Sequence, residues 1–241
     1  MNISSIPLIN CDLGEGIASE EKIYPYIDSA SIACGGHYGD ESSMIASMLL
    51  VKENGVKIGA HPSYPDRENF GRKSLSMEWE YLEGSLIEQL ELFKKMAHSL
   101  NLEIHHIKSH GALYNDSAKS ERLAKNLTSL YGKTFPGVPI FVPANSQMET
   151  MAKLKSLPVY TEVFGDRTYN EDYSLVSRSE QNSLLTDLKS VSEHLDPIIS
   201  DQVIISKSGA KLPVKADTLC FHGDNPGLMN FLPQIRKRFW E

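Results

Sequence analysis

Short apolar runs alternate along the chain with longer stretches in which apolar residues recur every three or four positions. The short runs predict strands over residues 6–10, 30–34, 56–60, 102–107, 138–142, 159–164 and 218–221. Met44, Ile45, Met48 and Leu49 follow Asp40, a good N-cap, and Gly55 stands where that helix should end. Leu82, Leu86, Leu90, Phe93, Ala97 and Leu100 form the clearest helical stripe, with Ser76 expected to cap it. Leu123, Leu127 and Leu130 mark a shorter helix, and Ser146-Gln147-Met148-Glu149 reads as a capping box opening another. Residues 165–180 read as a long polar loop, followed by a helix over 183–195. Residues 203–206 and 211–215 flank Gly209 as a surface hairpin, and Asn225-Pro226 should open the last helix.

Strands alternating with helices imply parallel pairing and right-handed crossovers. Seven core strands suit a closed or nearly closed barrel, with an open doubly wound sheet as the competing layout. No linker, repeat or low-complexity segment interrupts the pattern, so residues 1–241 are read as one α/β domain. The length of 241 residues is normal for such a barrel.

A net charge of −7 and the lack of a basic stripe argue against a nucleic-acid partner. The one basic run, Arg236-Lys237-Arg238, ends the last predicted helix, where cations favour the dipole. Cys11, Cys34 and Cys220 are odd in number and far apart, which suits a reducing, cytoplasmic setting without a disulfide framework. Met1-Asn2-Ile3-Ser4-Ser5 lacks a basic n-region and an apolar core, and no apolar run reaches membrane length. Neither a signal sequence nor a membrane partner is expected.

Ligand sites in α/β folds lie at the carboxyl ends of the strands, and the polar residues of this sequence concentrate there. The first strand leads to Asp12 and Glu15, the second to Gly35-Gly36-His37 and Asp40, and the third to His61-Pro62. The fourth runs into Lys108-Ser109-His110, the fifth into Asn145, the sixth through Glu162 into Asp166-Arg167, and the last into His222-Gly223-Asp224. Asp40 reads equally well as a plain N-cap, and Cys11 reads as a buried inert thiol. Lys108 extends an apolar strand and so requires a charge partner, either a substrate or a catalytic carboxylate. His98 and His194 read as surface residues, while one of His105 and His106 faces the barrel interior. Gly132-Lys133-Thr134 lacks the earlier glycine of a phosphate-binding loop and reads as a helix end. His106 and His110, on a strand and its exit, are too far apart to share one ion.

Several of these segments form longer motifs: Asn10-Cys11-Asp12-Leu13-Gly14-Glu15, Ile58-Gly59-Ala60-His61-Pro62, residues 65–72, His110-Gly111-Ala112-Leu113-Tyr114-Asn115 and His222-Gly223-Asp224. Together with Lys108, Glu162 and Asp166-Arg167 they resemble the LamB/YcsF family, in order and over nearly the whole chain. The resemblance implies a distorted β/α barrel related to the glycoside hydrolase/deacetylase group. It also implies ring opening of 5-oxoproline (pyroglutamate) to glutamate, coupled to ATP hydrolysis with two partner subunits, B and C, of a 5-oxoprolinase. The sequence departs from the family at Leu8, where many members carry Asp, and at Gly36, Tyr38, Ser109, Tyr173 and Ser177.

For a lactam-opening reaction, Asp12 or Glu15 is the expected general base and His61 or His110 the expected proton donor. Lys108, helped by Arg72, would stabilise an oxyanion or bind the substrate carboxylate. Asn10, His37, Asp40, Tyr114, Asn145, Glu162, Asp166, Arg167, His222 and Asp224 complete the expected substrate-binding set. Two alternatives stay open. One is a metal-dependent amidohydrolase or deacetylase, a divalent ion being held by Asp12, His37, His61 and His222. The other is a scaffold subunit without catalytic activity. Either is compatible with a homo-oligomer.

Overall fold

Seven parallel strands close into a barrel in the computed structural model, which describes residues 6–241. Residues 1–5, expected to carry no signal sequence, lie outside the described residues. The barrel strands are β1 (Leu8–Leu13), β2 (Ser29–Ala33), β3 (Lys57–His61), β4 (Ile104–Ile107), β5 (Ile140–Pro143), β6 (Val159–Phe164) and, after a hairpin of β7 (Val203–Ile205) and β8 (Lys211–Pro213), β9 (Thr218–His222). β9 closes the ring between β6 and β1. The helices are α1 (Glu41–Asn54), α2 (Trp79–Ser99), α3 (Gly111–Lys119), α4 (Glu121–Thr134), α5 (Gln147–Leu154), α6 (Leu188–Asp201) and α7 (Leu228–Phe239). Among the described residues no helix is long and apolar enough to cross a membrane.

Side chains alternate across each strand, so every strand has one face toward the helices and one toward the barrel axis. The outer faces carry Ile9, Cys11, Leu13, Ile32, Ile58, Ile107, Val142, Val163 and Leu219, all buried in the main apolar core. The inner faces are mostly polar: Asn10, Asp12, Ser31, His61, His106, Glu162 and Thr218 are buried and bonded to one another across the barrel. A barrel interior is normally filled with branched apolar residues. Here it is a hydrogen-bonded network, in which most of the buried polar groups have a partner.

The structure shifts several predicted elements. The first strand runs to Leu13, so Asp12 lies within it. Its charge is paired across the barrel by Lys108. His61 and His222 are likewise the last residues of β3 and β9 and not the first residues of loops. Ser76 does not cap α2, whose N-cap is Glu78. The helix expected over 183–195 begins only at Leu188, capped by Asp187, because 183–185 are tied to the preceding loop. Thr168 N–H donates to the Ser183 carbonyl and Leu185 N–H to that of Asp166. Asn225-Pro226 precedes α7, whose N-cap is Gly227. α3 was not anticipated as a separate helix. Gly132 sits inside α4, packed against Leu157, and does not end it.

His194 is half-buried, its Nε2 3.0 Å from the Phe164 carbonyl, and is no surface residue. His106 is the strand-four histidine that enters the barrel; it stacks on Phe141 and reaches Ser31 at 3.0 Å. A Cβ at Gly59 would lie 2.2 Å from the His106 ring, and the β3–β4 register shifts at this position. Leu8 begins β1, four residues from Asp12 and about 13 Å away at the rise of a strand. Position 8 is therefore remote from the carboxyl end of the strand.

Candidate active site

A cavity of about 450 Å³ opens at the carboxyl ends of the strands. Its floor is Asp12, Glu15, Lys108, Glu162 and His110, and the 165–178 loop forms one wall. Lys108 follows β4 and continues the ladder through its N–H to the Ala60 carbonyl. Its buried Nζ is 2.7 Å from Asp12 Oδ1, 3.1 Å from Glu162 Oε1, 3.3 Å from Asn10 Oδ1 and 2.9 Å from Cys220 Sγ. Asn10 in turn donates to Glu162 at 3.0 Å and to Thr218 at 2.7 Å.

Burial alone would raise the Asp12 carboxyl, but the charges of His61 and Lys108 hold it well below its ordinary value. Burial would lower the Lys108 amine, but Asp12 and the neighbouring acids hold it well above. Both groups are therefore ionised, as a buried pair requires. The ammonium's three protons go to Asn10, Asp12 and Cys220, which leaves Lys108 no free donor for an oxyanion. Its role is to fix and charge Asp12.

Glu15 leaves β1 through a turn anchored by Glu20, whose carboxylate accepts from Gly14 N–H at 2.8 Å, Tyr24 at 2.6 Å and Ser47 at 2.8 Å. The carboxylate of Glu15 meets three imidazoles. Oε1 is 2.9 Å from His37 Nε2, 3.3 Å from His110 Nδ1 and 3.8 Å from His61 Nε2. Burial pushes Glu15 up and pushes His37 and His110 well down, so these rings are neutral. The His37 loop is held by Arg67, which donates to the carbonyls of Gly35 and Gly39. At Gly36 the space for a side chain is taken by Gln89 and Ser63.

The outer nitrogens of two rings are committed. His61 Nδ1 lies 2.8 Å from the Lys108 carbonyl, and His110 Nε2 lies 3.0 Å from the Phe70 carbonyl. A carbonyl only accepts, so these nitrogens carry the N–H, and neither ring can hand that proton to a substrate. A proton given to a substrate by either ring would have to come from the facing nitrogen, His61 Nε2 or His110 Nδ1.

Gly111, at φ +54, lets α3 start directly against the Gly71 carbonyl, which seats His110 on the floor and Tyr114 on the wall. Among the described residues, the buried Tyr114 hydroxyl and Glu162 Oε2 have no hydrogen-bond partner. Burial, then the Glu162 charge, pushes the Tyr114 phenol well up, so it keeps its proton. At the mouth Arg72 pairs with Asp224, and Arg178 lies 3.5 Å from the same carboxylate. Two guanidiniums thus share one acid.

His222 stacks on Phe164 and is fixed by Asp166 at 2.8 Å; Asp166 also accepts from Asn225. Arg167 borders the cavity and uses two of its five donors on the Ser183 and Val176 carbonyls, which holds the loop wall in place. Two expected ligand residues lie elsewhere. Asp40 is exposed and completes a capping box with Ser43, beside a different groove. Asn145 is exposed in a left-handed turn, its N–H donating to Glu149. The metal set Asp12, His37, His61 and His222 is not assembled either: Glu15 and His110 stand with His37 and His61, and His222 belongs to Asp166. Arg178, inside a polar loop without periodicity, gave no sequence signal.

A closed parallel barrel with a charged floor at its carboxyl end defines a β/α-barrel protein built to hold a small polar ligand. The chain matches the model of the LamB/YcsF family over residues 8–241 and belongs to that family. It is 36% identical to the 5-oxoprolinase A subunit of Limosilactobacillus fermentum, over 96% of this chain and 94% of the relative. It is 36% identical to the protein of the same name from Natranaerobius thermophilus, over 97% of this chain and 93% of that relative. The crystal structure of a lactam utilization protein from Thermus thermophilus superposes with a TM-score of 0.87 at 28% identity, covering 96% of this chain and 95% of that one.

Proposed function

We propose that this chain is the A subunit of a 5-oxoprolinase, opening the lactam ring of 5-oxo-L-proline to L-glutamate with ATP hydrolysis and partner subunits B and C. One observation carries the reading: the cavity joins an ionised carboxylate on its floor, Asp12, to a mouth where Arg72 and Arg178 share a single acid. Such polarity suits a small ligand with a neutral amide at one end and a carboxylate at the other. The names and full-length coverage of the relatives support the same substrate class.

A lactam is a resonance-stabilised amide and a poor electrophile. Phosphorylation of its oxygen, with ATP handled through the partner subunits, would make the ring carbon a target for water. The adduct would then break its C–N bond as the nitrogen takes a proton, and a second water would release phosphate from the resulting acyl phosphate. Asp12 is the better base of the two candidates. Its Oδ2 lies on the cavity floor with His61 Nε2 at 3.4 Å, whereas Glu15 is enclosed by imidazoles. Arg72 and Arg178 take the substrate carboxylate. Tyr114, protonated and unpartnered, donates to the polar end of the ring.

The test is reconstitution of the full chain with subunits B and C, measuring ATP-dependent glutamate release from 5-oxoproline. Release that requires all three chains is the expected result. No release with all three present overturns the proposal.

A further inference from the structure

His61 Nε2 and His110 Nδ1 face each other at 3.0 Å. Their opposite nitrogens carry the N–H toward the carbonyls of Lys108 and Phe70, so the facing atoms are the ones with which these rings can bind a metal ion. Glu15 Oε1 stands 3.3 Å from one and 3.8 Å from the other. Three ligand atoms thus converge in a buried pocket. An imidazole whose outer N–H is fixed by a backbone carbonyl is the usual support for a metal-binding ring.

We infer that Glu15, His61 and His110 bind one divalent transition-metal ion of the zinc class at the cavity floor. Bonds of about 2.0–2.1 Å in tetrahedral array require donor separations of about 3.4 Å, and the three observed separations bracket that value. His37 is close enough to join, but its ring is stacked on His110 at 3.7 Å and 5°. One ion cannot lie in two parallel ring planes, so His37 instead holds Glu15 through its Nε2 at 2.9 Å. The fourth vertex is left to the cavity, which Glu15 and His110 border. An ion there supplies Lewis acidity and a bound water of lowered pKa. Two imidazoles and one carboxylate with an open position suit such an ion better than magnesium or calcium.

This inference stands on side-chain geometry alone and is independent of the lactam reading. The purified full chain is stripped with a chelator, then titrated with Zn²⁺ or Co²⁺ without substrate, nucleotide or other subunits. One equivalent should bind, with the visible spectrum of four- or five-coordinate cobalt and a melting temperature raised by roughly 5–10 °C at hundredfold excess over Kd. Glu15→Gln and His110→Gln should lose the equivalent, His37→Gln should bind about 10–100-fold more weakly, and exposed His98→Gln should match the wild type. Apo melting curves identify any variant that fails to fold, and the wild-type stoichiometry and spectrum decide without it. No uptake by the wild type, a water-rich octahedral spectrum, or full uptake by folded Glu15→Gln and His110→Gln overturns the inference. A proton shared by the two histidines would then fill the gap.

Discussion

The Lys108 ammonium lies 2.7 Å from the Asp12 carboxylate inside the barrel, where both side chains are nearly wholly buried. The pair links the exit of β4 to β1 across the axis, and Glu162 of β6 shares the same ammonium. Removing the cation leaves two buried carboxylates facing each other. Lys108→Met should therefore destabilise the fold by about 3–5 kcal/mol, read as a lower urea midpoint. A loss below about 1 kcal/mol would mean that the two acids take up protons at little cost and that the pair does not hold the barrel.

Asp12→Asn keeps the shape of the side chain and leaves Glu162 to compensate Lys108, so the variant should fold. With Asp12 as base, turnover in the reconstituted complex should fall by about 10²–10⁴. Unchanged turnover in a folded variant would move the base elsewhere on the floor.

Arg178 contributes one of two guanidiniums at the mouth. Arg178→Ala should raise KM for 5-oxoproline about 10-fold with kcat little changed, the signature of lost uniform binding. An equal fall in kcat and kcat/KM would instead assign Arg178 to the transition state.

At Gly59 a methyl group would collide with the His106 ring, which is wedged between Ser31 and Phe141. Gly59→Ala should cost about 1–3 kcal/mol in urea unfolding. The double variant Gly59→Ala/His106→Ala should cost less than the sum of the two single losses, because the clash is gone.

Burial, then the charge of His105, holds the His106 imidazole well below its ordinary value. The unfolded chain therefore binds a proton near pH 6.5 that the folded chain refuses. Stability contributed by neutral His106 is complete above that pH and declines as pH falls below it, by about 1.4 kcal/mol per pH unit. Urea unfolding at pH 7.5, 6 and 5 measures the slope. His106→Asn should make it shallower by about one proton, and an unchanged slope would assign the pH dependence to other groups.

Much of the barrel was legible from periodicity. Strand positions, the Asp40 and Ser146 caps and the Gly55 helix end follow from local rules that hold wherever the segment sits. Misreadings cluster where tertiary partners override those rules. From the sequence, Asp12 and His61 fall just past their strands because the apolar runs end before them. They stay in β1 and β3 because Lys108 and His110 meet them from elsewhere in the chain.

The sequence alone determined that seven strands would alternate with helices and that titratable residues would gather at their carboxyl ends. It also carried the family resemblance. Which of those residues act together was a decision of the closed barrel. Closure aims His61 and His110 at each other, ties their outer nitrogens to carbonyls 40 or more residues away in the chain, and consumes the donors of Lys108. The same closure leaves Asp40 and Asn145 outside, as helix cap and turn. Spacing along a strand sets only the face that a side chain occupies; which atoms meet depends on register and ring closure, which are properties of the whole chain.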